Sequence, residues 1–315
     1  MDPILTLTVN PTVDVLVEVD ELEPTGKVRA NLRTAVAGGG GINVARGICE
    51  LGGDAVAIHT SGGAVGEQLD RLLDGEGIEH VSMSIEGETR EAILLVERAK
   101  ERSFHIVPSG PEVDRDFADR LVATVADLIG GDRILVASGS LPPGCPDDLY
   151  ARLAAEVREL GARLVLDTSG APLRAALEEG VHFLKPNRRE AADILGRELE
   201  GFEDARQLND QLLGRGVVRV VATTLGDRGA VVSTEGRHVL VRTPPLPRPF
   251  RSDAGAGDSF VAAMTTGLAH DGELADAGRL AVAAAAAACM TPGTEMFEWR
   301  DVEALRRETV TEEMT

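Results

Sequence analysis

Short β-branched runs alternate with longer amphipathic stretches along most of this chain, and that alternation constrains the fold more than any other feature. Strands that are apolar on both faces and separated by helices predict a parallel sheet covered on both sides. The predicted strands are Ile4–Val9, Ala55–His59, Arg133–Ala137, Arg163–Asp167, His182–Lys185, Arg219–Thr223 and Ala230–Ser233. Helices are predicted at about 42–52, 64–76, 114–130, 146–160, 171–179, 188–195, 203–214, 257–270 and 273–290.

Two stretches, Val13–Val36 and Glu88–Val107, interrupt this rhythm. Both contain only strand-like segments, such as V-D-V-L-V-E-V and A-I-L-L-V-E-R, in which polar and apolar residues alternate. We interpret them as a small second sheet that covers the main domain as a lid. Because the sequence contains no linker, low-complexity tract or internal repeat, residues 1–315 are predicted to form one domain with lid strands from about 13–36 and 88–107.

The composition restricts the class of partner. A formal net charge of −20, from 32 Lys+Arg and 52 Asp+Glu, argues against nucleic acid or an anionic membrane surface. Three scattered cysteines without metal-binding spacing are typical of a reducing compartment. The most apolar helical stretch, 281–290, is too short to span a bilayer, and no signal peptide is recognised. We therefore expect a cytoplasmic protein.

The segment S-D-A-G-A-G-D-S-F, Ser252–Phe260, places two glycines directly before an apolar helix. Glycine permits positive φ and a close approach of the backbone, and the first turn of a helix offers unpaired N–H groups to an anion. Asp258 has two interpretations. It caps the helix, or it accepts the proton of an attacking hydroxyl beside an anion hole, as phosphoryl transfer requires.

A second glycine cluster, A-G-G-G-G-I-N-V-A-R (Ala37–Arg46), leads directly into an amphipathic helix. The purely structural interpretation of this cluster is a flexible turn. A polar ligand against bare backbone, hydrogen-bonded by Asn43, fits the helix start better. The spacing does not match the dinucleotide fingerprint G-x-G-x-x-G, and the Walker pattern is absent from the sequence.

K-P-N-R-R-E, Lys185–Glu190, follows a strand and opens a helix. Asn187 and Glu190 suit a capping box, which alone explains their spacing. Lys185 favours a ligand site, because it is one of three lysines and lies at the carboxyl end of a strand, where α/β sheets bind ligands. Glu190 suits Mg²⁺ bound through water.

The two lid segments carry the remaining candidates. Cationic side chains on a small exposed sheet, such as Lys27, Arg29 and Arg90, are usually solvated. These three are nevertheless the cations nearest the glycine cluster if the lid closes over it. Asp14 begins the lid, and a carboxylate there suits a sugar as Lys and Arg suit a phosphate. S-G-S-L-P-P-G, Ser138–Gly144, is either a simple turn or a set of hydroxyls that face the same crevice.

Together these motifs resemble those of the PfkB, or ribokinase-like, carbohydrate kinases. G-G-G-G-I-N, K-P-N-x-x-E and G-A-G-D occur in that order across nearly the whole chain, supported by S-G-S-L-P-P-G and T-L-G-D-R-G-A. T-L-T-V-N-P-T-V-D and G-K-V-R are most similar to the minor bacterial type of ATP-dependent 6-phosphofructokinase. The resemblance implies a three-layer α/β/α sandwich with a mostly parallel central sheet and a β-sheet lid. It also implies phosphoryl transfer from ATP to the C1 hydroxyl of fructose 6-phosphate.

The resemblance implies a role for each matching residue. Asp258 would be the base, with Gly255, Ala256 and Gly257 as the anion hole. The sugar would contact Asp14, Gly39, Gly40 and Asn43, and its phosphate would contact Lys27, Arg90 and Ser140, with Arg29 entering from a partner's lid. ATP would be held by Lys185, Asn187, Glu190, Thr224, Gly226 and Gly229, and Mg²⁺ by Asn187 and Glu190 through water.

The sequence departs from the family's motifs at two positions, and other substrates therefore stay open. Ser252-Asp253 replaces the usual acidic-Thr pair, which leaves a monovalent-cation site open. Gly40 stands where 1-phosphofructokinases and ribokinases carry a lysine, which favours fructose 6-phosphate. K-P-N-R-R-E suits 1-phosphofructokinase equally, so that enzyme is the nearest alternative, followed by tagatose 6-phosphate kinase. A sugar-phosphate sensor is the non-enzyme alternative, which intact Asp258 and Glu190 disfavour.

The lid segments also predict an assembly. Their strands are apolar at alternate positions, and the apolar face of a small sheet must be covered. We therefore expect a homodimer joined symmetrically through the two lids.

Overall fold

The computed structural model describes residues 2–270 and 272–314. Its strands are β1 (Ile4–Thr8), β2 (Thr12–Val19), β3 (Leu32–Gly38), β4 (Ala55–Ser61), β5 (Glu79–Ser84), β6 (Arg90–Glu97), β7 (Arg102–Ile106), β8 (Ile134–Ser138), β9 (Arg163–Asp167), β10 (Val181–Leu184), β11 (Val218–Thr224), β12 (Gly229–Thr234), β13 (Arg237–Arg242) and β14 (Val310–Met314). Its α-helices are α1 (Gly40–Glu50), α2 (Gly63–Glu76), α3 (Arg115–Leu128), α4 (Leu149–Glu159), α5 (Gly170–Glu179), α6 (Arg188–Leu195), α7 (Phe202–Gly214), α8 (Ala256–Ala269), α9 (Leu274–Ala288) and α10 (Trp299–Glu308).

Ten strands form the central sheet, in the order β14-β13-β12-β11-β10-β9-β8-β1-β4-β5. The pairs from β11 to β5 are parallel. Neighbouring residues of β8 belong to different cores: Val136 packs with α1, α8 and α9, whereas Leu135 and Ala137 pack with α3, α4 and α5. The predicted helix–sheet–helix sandwich is confirmed, because strands without alternation bury both faces.

One end of this sheet is antiparallel. β11, β12 and β13 are joined by short turns and pair antiparallel, and β14 adds at the edge beside β13. A parallel return requires a crossover of a dozen or more residues, and the four residues between β11 and β12 are too few.

The two interrupting stretches form the predicted second sheet, in the order β3-β2-β6-β7. β2 and β6 pair in parallel, and the outer strands pair antiparallel to them. Every residue of β7 is exposed. Apolar side chains thus remain open to solvent on this sheet, with Ile106 54% and Phe104 39% exposed.

Most predicted elements match the structure to within three residues at each end, but four were missed. These are β5, β13, β14 and α10. Within residues 2–270 and 272–314, the helices are all too short or too polar to cross a membrane.

Candidate active site

The carboxyl ends of the parallel strands and the first turns of two helices enclose the site. α8 begins after Gly255, whose φ of 76° is the left-handed conformation that glycine adopts without strain. α1 begins after Gly39, with a φ of 109°. The first turns of the two helices meet at the Asn43–Asp258 contact, and the start of a helix is a favourable place for an anion. In α1 the Ile42 N–H already donates to Thr8 Oγ1.

The N-cap residue of α8 is Gly255, which has no side chain. Asp258 lies in the first turn of the helix, and no side chain makes a capping hydrogen bond there. Its Oδ2 instead accepts a hydrogen bond of 2.9 Å from Nδ2 of Asn43, on the first turn of α1. This bond spans 215 residues of sequence and joins the two predicted glycine motifs at one point. The capping interpretation is therefore not the one that the structure supports.

Burial and a neighbouring negative charge raise the pKa of Asp258. Burial contributes most and the negative charge of Asp167 comes next, and together they raise the pKa of Asp258 to about 7. The Asn43 hydrogen bond and the positive charge of Lys185 oppose this rise. A carboxyl group with a pKa near neutral pH is suited to general-base catalysis.

Lys185 and Asp167 form a buried ion pair, and the charges of both act on the Asp258 carboxylate. Lys185 Nζ is 3.2 Å from Asp167 Oδ1, and both side chains are largely buried. Burial opposes the charge of Lys185, but Asp167, Glu190 and Asp258 outweigh it and raise the pKa. A Cβ atom at Gly257 would lie 3.4 Å from Lys185 Nζ, which places the ammonium group directly beside the predicted anion hole.

The side chains that were predicted from the sequence to bind the sugar also lie at this site. Asn43 is buried, and its Oδ1 has no hydrogen-bond partner among the described residues. Asp14, at the start of β2, accepts a hydrogen bond of 2.7 Å from Thr294 Oγ1 and lies close enough to influence the pKa of Asp258. Burial raises the pKa of Asp14 itself. A buried acceptor without a donor is costly, so Asn43 Oδ1 is suited to a ligand hydroxyl.

The glycine cluster has a packing reason that the sequence did not suggest. A Cβ atom at Gly38 would overlap the carboxylate of Asp14, one at Gly40 the hydroxyl of Ser138, and one at Gly41 the carbonyl of Leu7. Gly40 and Gly41 bring α1 against β8 and β1, and Gly38 leaves room for Asp14 on β2. Close packing thus explains part of the cluster without a ligand.

A cavity of about 800 Å³ adjoins Gly257 and Lys185. Five of the six residues predicted to hold a nucleotide line it, and Glu190 does not: Lys185, Asn187, Thr224, Gly226 and Gly229. Apolar side chains line its other wall: Leu246, Phe250, Phe260 and Val282, with Ala285 and Ala286. An apolar slot next to a lysine and two helix starts fits the base and phosphates of a nucleotide.

Glu190 and Asn187 form the capping box of α6 that the sequence allowed. Asn187 Oδ1 accepts from the backbone N–H of Arg189 and Glu190, and Glu190 Oε2 accepts from the Asn187 N–H at 2.9 Å. Burial, followed by the charge of Asp167, raises the pKa of Glu190. Asp167, Glu190 and Asp258 thus crowd three carboxyl groups around one lysine, a donor set that fits Mg²⁺.

The predicted phosphate contacts are less concentrated. Arg90 begins β6 and donates to the carbonyls of Asn10 and Pro108 at 2.8 Å, so its guanidinium holds the base of the lid. Ser140 is exposed on the turn after β8. Lys27 and Arg29 lie on the exposed connection between β2 and β3, and neither lines the 800 Å³ cavity.

Sequence reasoning missed Asp167, which shapes the charge of the whole site. The available signal was its position, since it ends the buried strand β9 at the ligand-binding edge of the sheet. Asp253 lines the nucleotide cavity, and its carbonyl accepts from the Ala256 N–H. Nothing in the structure explains why its side chain is acidic.

The chain is similar to proteins of known class over nearly its whole length. The model of the pfkB family of carbohydrate kinases matches residues 8–299. An ATP-dependent 6-phosphofructokinase isozyme 2 of Mycobacterium tuberculosis is 37% identical over 300 residues, 95% of this chain and 88% of the relative. A 1-phosphofructokinase of Xanthomonas campestris is 32% identical over 284 residues, 89% of this chain and 88% of the relative.

Solved structures agree with this similarity. Phosphofructokinase-2 from Escherichia coli has been solved in complex with potassium and in complex with fructose-6-phosphate, with TM-scores of 0.92 and 0.90 to this chain. Both are 34% identical and cover 98% of this chain and 99% of their own. With its fold, its site and its matched family model in agreement, this chain belongs to the pfkB family of carbohydrate kinases.

Proposed function

We propose that this chain is an ATP-dependent 6-phosphofructokinase, a single kinase domain with a β-sheet lid that phosphorylates the C1 hydroxyl of fructose 6-phosphate. The observation that carries the proposal is the Asp258–Asn43 contact, which brings a near-neutral carboxyl group to the helix start beside the nucleotide cavity. The relatives named 6-phosphofructokinase and phosphofructokinase-2 support this choice of acceptor.

The chemistry follows from these positions. Asp258 takes the proton of the C1 hydroxyl as that oxygen attacks the γ-phosphorus of ATP, and the bond from the γ-phosphorus to the bridging oxygen breaks as ADP leaves. The backbone N–H of Gly257 faces the charge that develops on the moving phosphoryl group, and Lys185 adds a positive charge beside it. The Ala256 N–H joins them once it leaves the Asp253 carbonyl, to which it donates in this structure. Glu190 and Asn187 would hold Mg²⁺ through water, and the ion would neutralise phosphate charge when bound.

Substrate orientation uses the other half of the site. Asn43 Oδ1 accepts from a sugar hydroxyl, and Asp14 accepts from a second one. Lys27, Arg90 and Ser140 bind the phosphate already on the sugar, and Arg29 reaches it from a partner's lid. Gly40 favours fructose 6-phosphate over fructose 1-phosphate, because 1-phosphofructokinases carry a lysine at this position.

The test is a comparison of acceptors with purified protein and Mg²⁺-ATP. The expected order of kcat/KM has fructose 6-phosphate above fructose 1-phosphate, tagatose 6-phosphate and unphosphorylated fructose. A higher value for fructose 1-phosphate would transfer the assignment to 1-phosphofructokinase, the class of the X. campestris relative. Absence of ADP release with every acceptor would leave a sugar-phosphate sensor.

Asp258→Asn is the matched variant for catalysis. Loss of a general base typically costs about 10²–10⁴ in rate. Asn keeps the shape and an acceptor for the Asn43 amide, so the variant should fold and bind both substrates. A folded Asp258→Asn protein with near-normal turnover would rule out the catalytic role.

The proposal also includes a bound monovalent cation. We place it beside the anion hole, where Asp253 lines the cavity. Activity in K⁺ is expected to exceed activity in a buffer whose only monovalent cation is tetramethylammonium. Equal rates in the two buffers would remove this cation from the mechanism.

A further inference from the structure

Three metal-binding side chains converge at the edge of the central sheet, outside the catalytic cleft. His59 lies on β4, His80 on the edge strand β5, and Asp70 on α2. His59 Nε2 is 3.1 Å from His80 Nδ1 and 3.6 Å from Asp70 Oδ1. The three ligand atoms lie within 4.8 Å of one another.

The outer nitrogen of each histidine faces an oxygen that can only accept. His59 Nδ1 is 3.0 Å from the carbonyl of Thr60, and His80 Nε2 is 3.3 Å from Asp74 Oδ1. In the neutral rings the protons therefore sit on these outer nitrogens. The inner nitrogens, His59 Nε2 and His80 Nδ1, then direct lone pairs at each other across 3.1 Å.

Asp70 adds a third acceptor to the same point. Its Oδ2 accepts hydrogen bonds from the hydroxyls of Ser61 and Ser82, at 3.2 and 3.4 Å. Its Oδ1 is buried and has no hydrogen-bond partner among the described residues. Three converging acceptors without a donor are unfavourable in a protein interior, so a positively charged occupant would stabilise the cluster.

Two of the three ligand-atom separations match those expected around a metal ion. Bonds of about 2.0–2.1 Å at tetrahedral angles place ligand atoms about 3.4 Å apart. The observed separations of 3.1 and 3.6 Å bracket that value. Oxygen acceptors behind both imidazoles are the usual second layer of a metal site. Burial lowers the pKa of His59, which keeps that ring in the neutral form that binds a metal.

We propose that His59, His80 and Asp70 bind a divalent transition-metal ion, with Zn²⁺ as the reference ion and a water as the fourth ligand. Imidazole and carboxylate together suit Zn²⁺, whereas Mg²⁺ prefers oxygen ligands alone. Solvent reaches the site, because 31% of the Asp70 side chain and 14% of the His80 side chain are exposed. A bound ion would tie β5 and α2 to β4.

The experiment titrates the full chain with Co²⁺, in the absence of nucleotide and Mg²⁺, and follows the visible absorption of tetrahedral cobalt. Wild-type protein should bind one equivalent, and Zn²⁺ should displace it. His80→Gln and Asp70→Asn should each raise the Kd for Co²⁺ more than about 100-fold, since loss of a supporting group alone costs 10–100-fold. His270→Gln, at an exposed position, is the control and should bind as wild type does.

Thermal unfolding provides a second readout that is independent of kinase activity. Zn²⁺ should raise the Tm of wild type and of the His270→Gln control but not of the two site variants. Wild-type protein that binds no Co²⁺ would show that the two histidines share a proton instead. Undiminished binding in either folded variant would place the metal elsewhere and overturn the proposal.

Discussion

At the scale of single residues, Asp258 is held where its charge is costly. Its pKa of about 7 lies above its value in the unfolded chain, so the neutral form stabilises the fold and that stabilisation is lost as pH rises through about 7. Asn at this position is always neutral. The Asp258→Asn protein should therefore be more stable than wild type at pH 8, and less different from it at pH 5.

The pH dependence of kcat/KM is the direct test of this electrostatic arrangement. The carboxylate must be ionised to accept a proton, so kcat/KM should fall as pH falls through about 7. Asp167→Asn removes the negative charge that, after burial, contributes most to raising this pKa. The acid limb should therefore move to lower pH in Asp167→Asn.

The matched control is Asp227→Asn, which alters a carboxylate of the nucleotide cavity that is not among the causes of the Asp258 shift. Titration of the substrate phosphate is common to all three proteins and cancels in the comparison. An acid limb at the same pH in wild type and Asp167→Asn would contradict the proposed role of the Asp167 charge.

Single residues also show how far the sequence predicts the site. Asp258 and Lys185 were recognisable because two glycines precede one and lysine is rare in this chain. Asp167 was not, because an aspartate at the end of a strand is unremarkable in sequence. Its role arises from the neighbouring strands β9 and β10, whose pairing places it against Lys185. The packing of Gly40 against Ser138 likewise depends on strand order.

At the scale of elements, the strands of the central sheet that are buried on both faces were predictable, with the exception of β13, and its two edge strands were not. β8 and β9 are nearly uniform apolar runs. β5 reads E-H-V-S-M-S and β14 reads V-T-E-E-M, and both keep polar or exposed positions. Such segments become strands because β4 and β13 offer them a free edge. That information lies in the partner strand rather than in the segment itself.

Glu190 caps helix α6 and is also proposed to hold Mg²⁺, and experiment can separate these two roles. Glu190→Gln keeps an acceptor for the Asn187 N–H but loses the charge, so stability should change little while the Mg²⁺ concentration needed for half-maximal activity rises. Glu190→Ala loses both, and should also cost about 0.5–1.5 kcal/mol of the free energy of unfolding.

Activity against Mg²⁺ and urea unfolding measure the two effects. Glu203→Gln, in the first turn of α7, is the control for loss of an acidic charge at a helix start. If Glu190→Gln has the Mg²⁺ dependence of wild type, Glu190 serves only as a cap.

At the scale of the whole molecule, the lid sheet leaves more apolar surface than one chain covers. Ile93, Phe104, Ile106 and Val107 are each at least 38% exposed, and all lie on or beside the paired strands β6 and β7. A contiguous apolar surface of this kind usually marks an interface. The net charge of −20 opposes association of two copies, so the contact must be apolar and local.

A lid-to-lid homodimer should therefore dissociate when this face is made charged. Ile106→Glu should shift sedimentation equilibrium from dimer to monomer, because one carboxylate from each chain would be buried in a symmetric contact. Leu160→Glu places the same change on an exposed leucine at the end of α4, and should leave the dimer intact.

Ligand binding then reveals whether the lid contact contributes to the site. The nucleotide cavity lies on the main domain, whereas Arg29 lies on the lid connection that could reach a neighbour. The Ile106→Glu monomer should therefore bind fructose 6-phosphate more weakly, with ATP affinity little changed, and Arg29→Ala should raise the KM for fructose 6-phosphate within an intact dimer. Titration of each ligand into each protein measures both effects. A monomer with full affinity for fructose 6-phosphate would show that each site is complete in one chain, and an unchanged KM in Arg29→Ala would remove the contact across the interface.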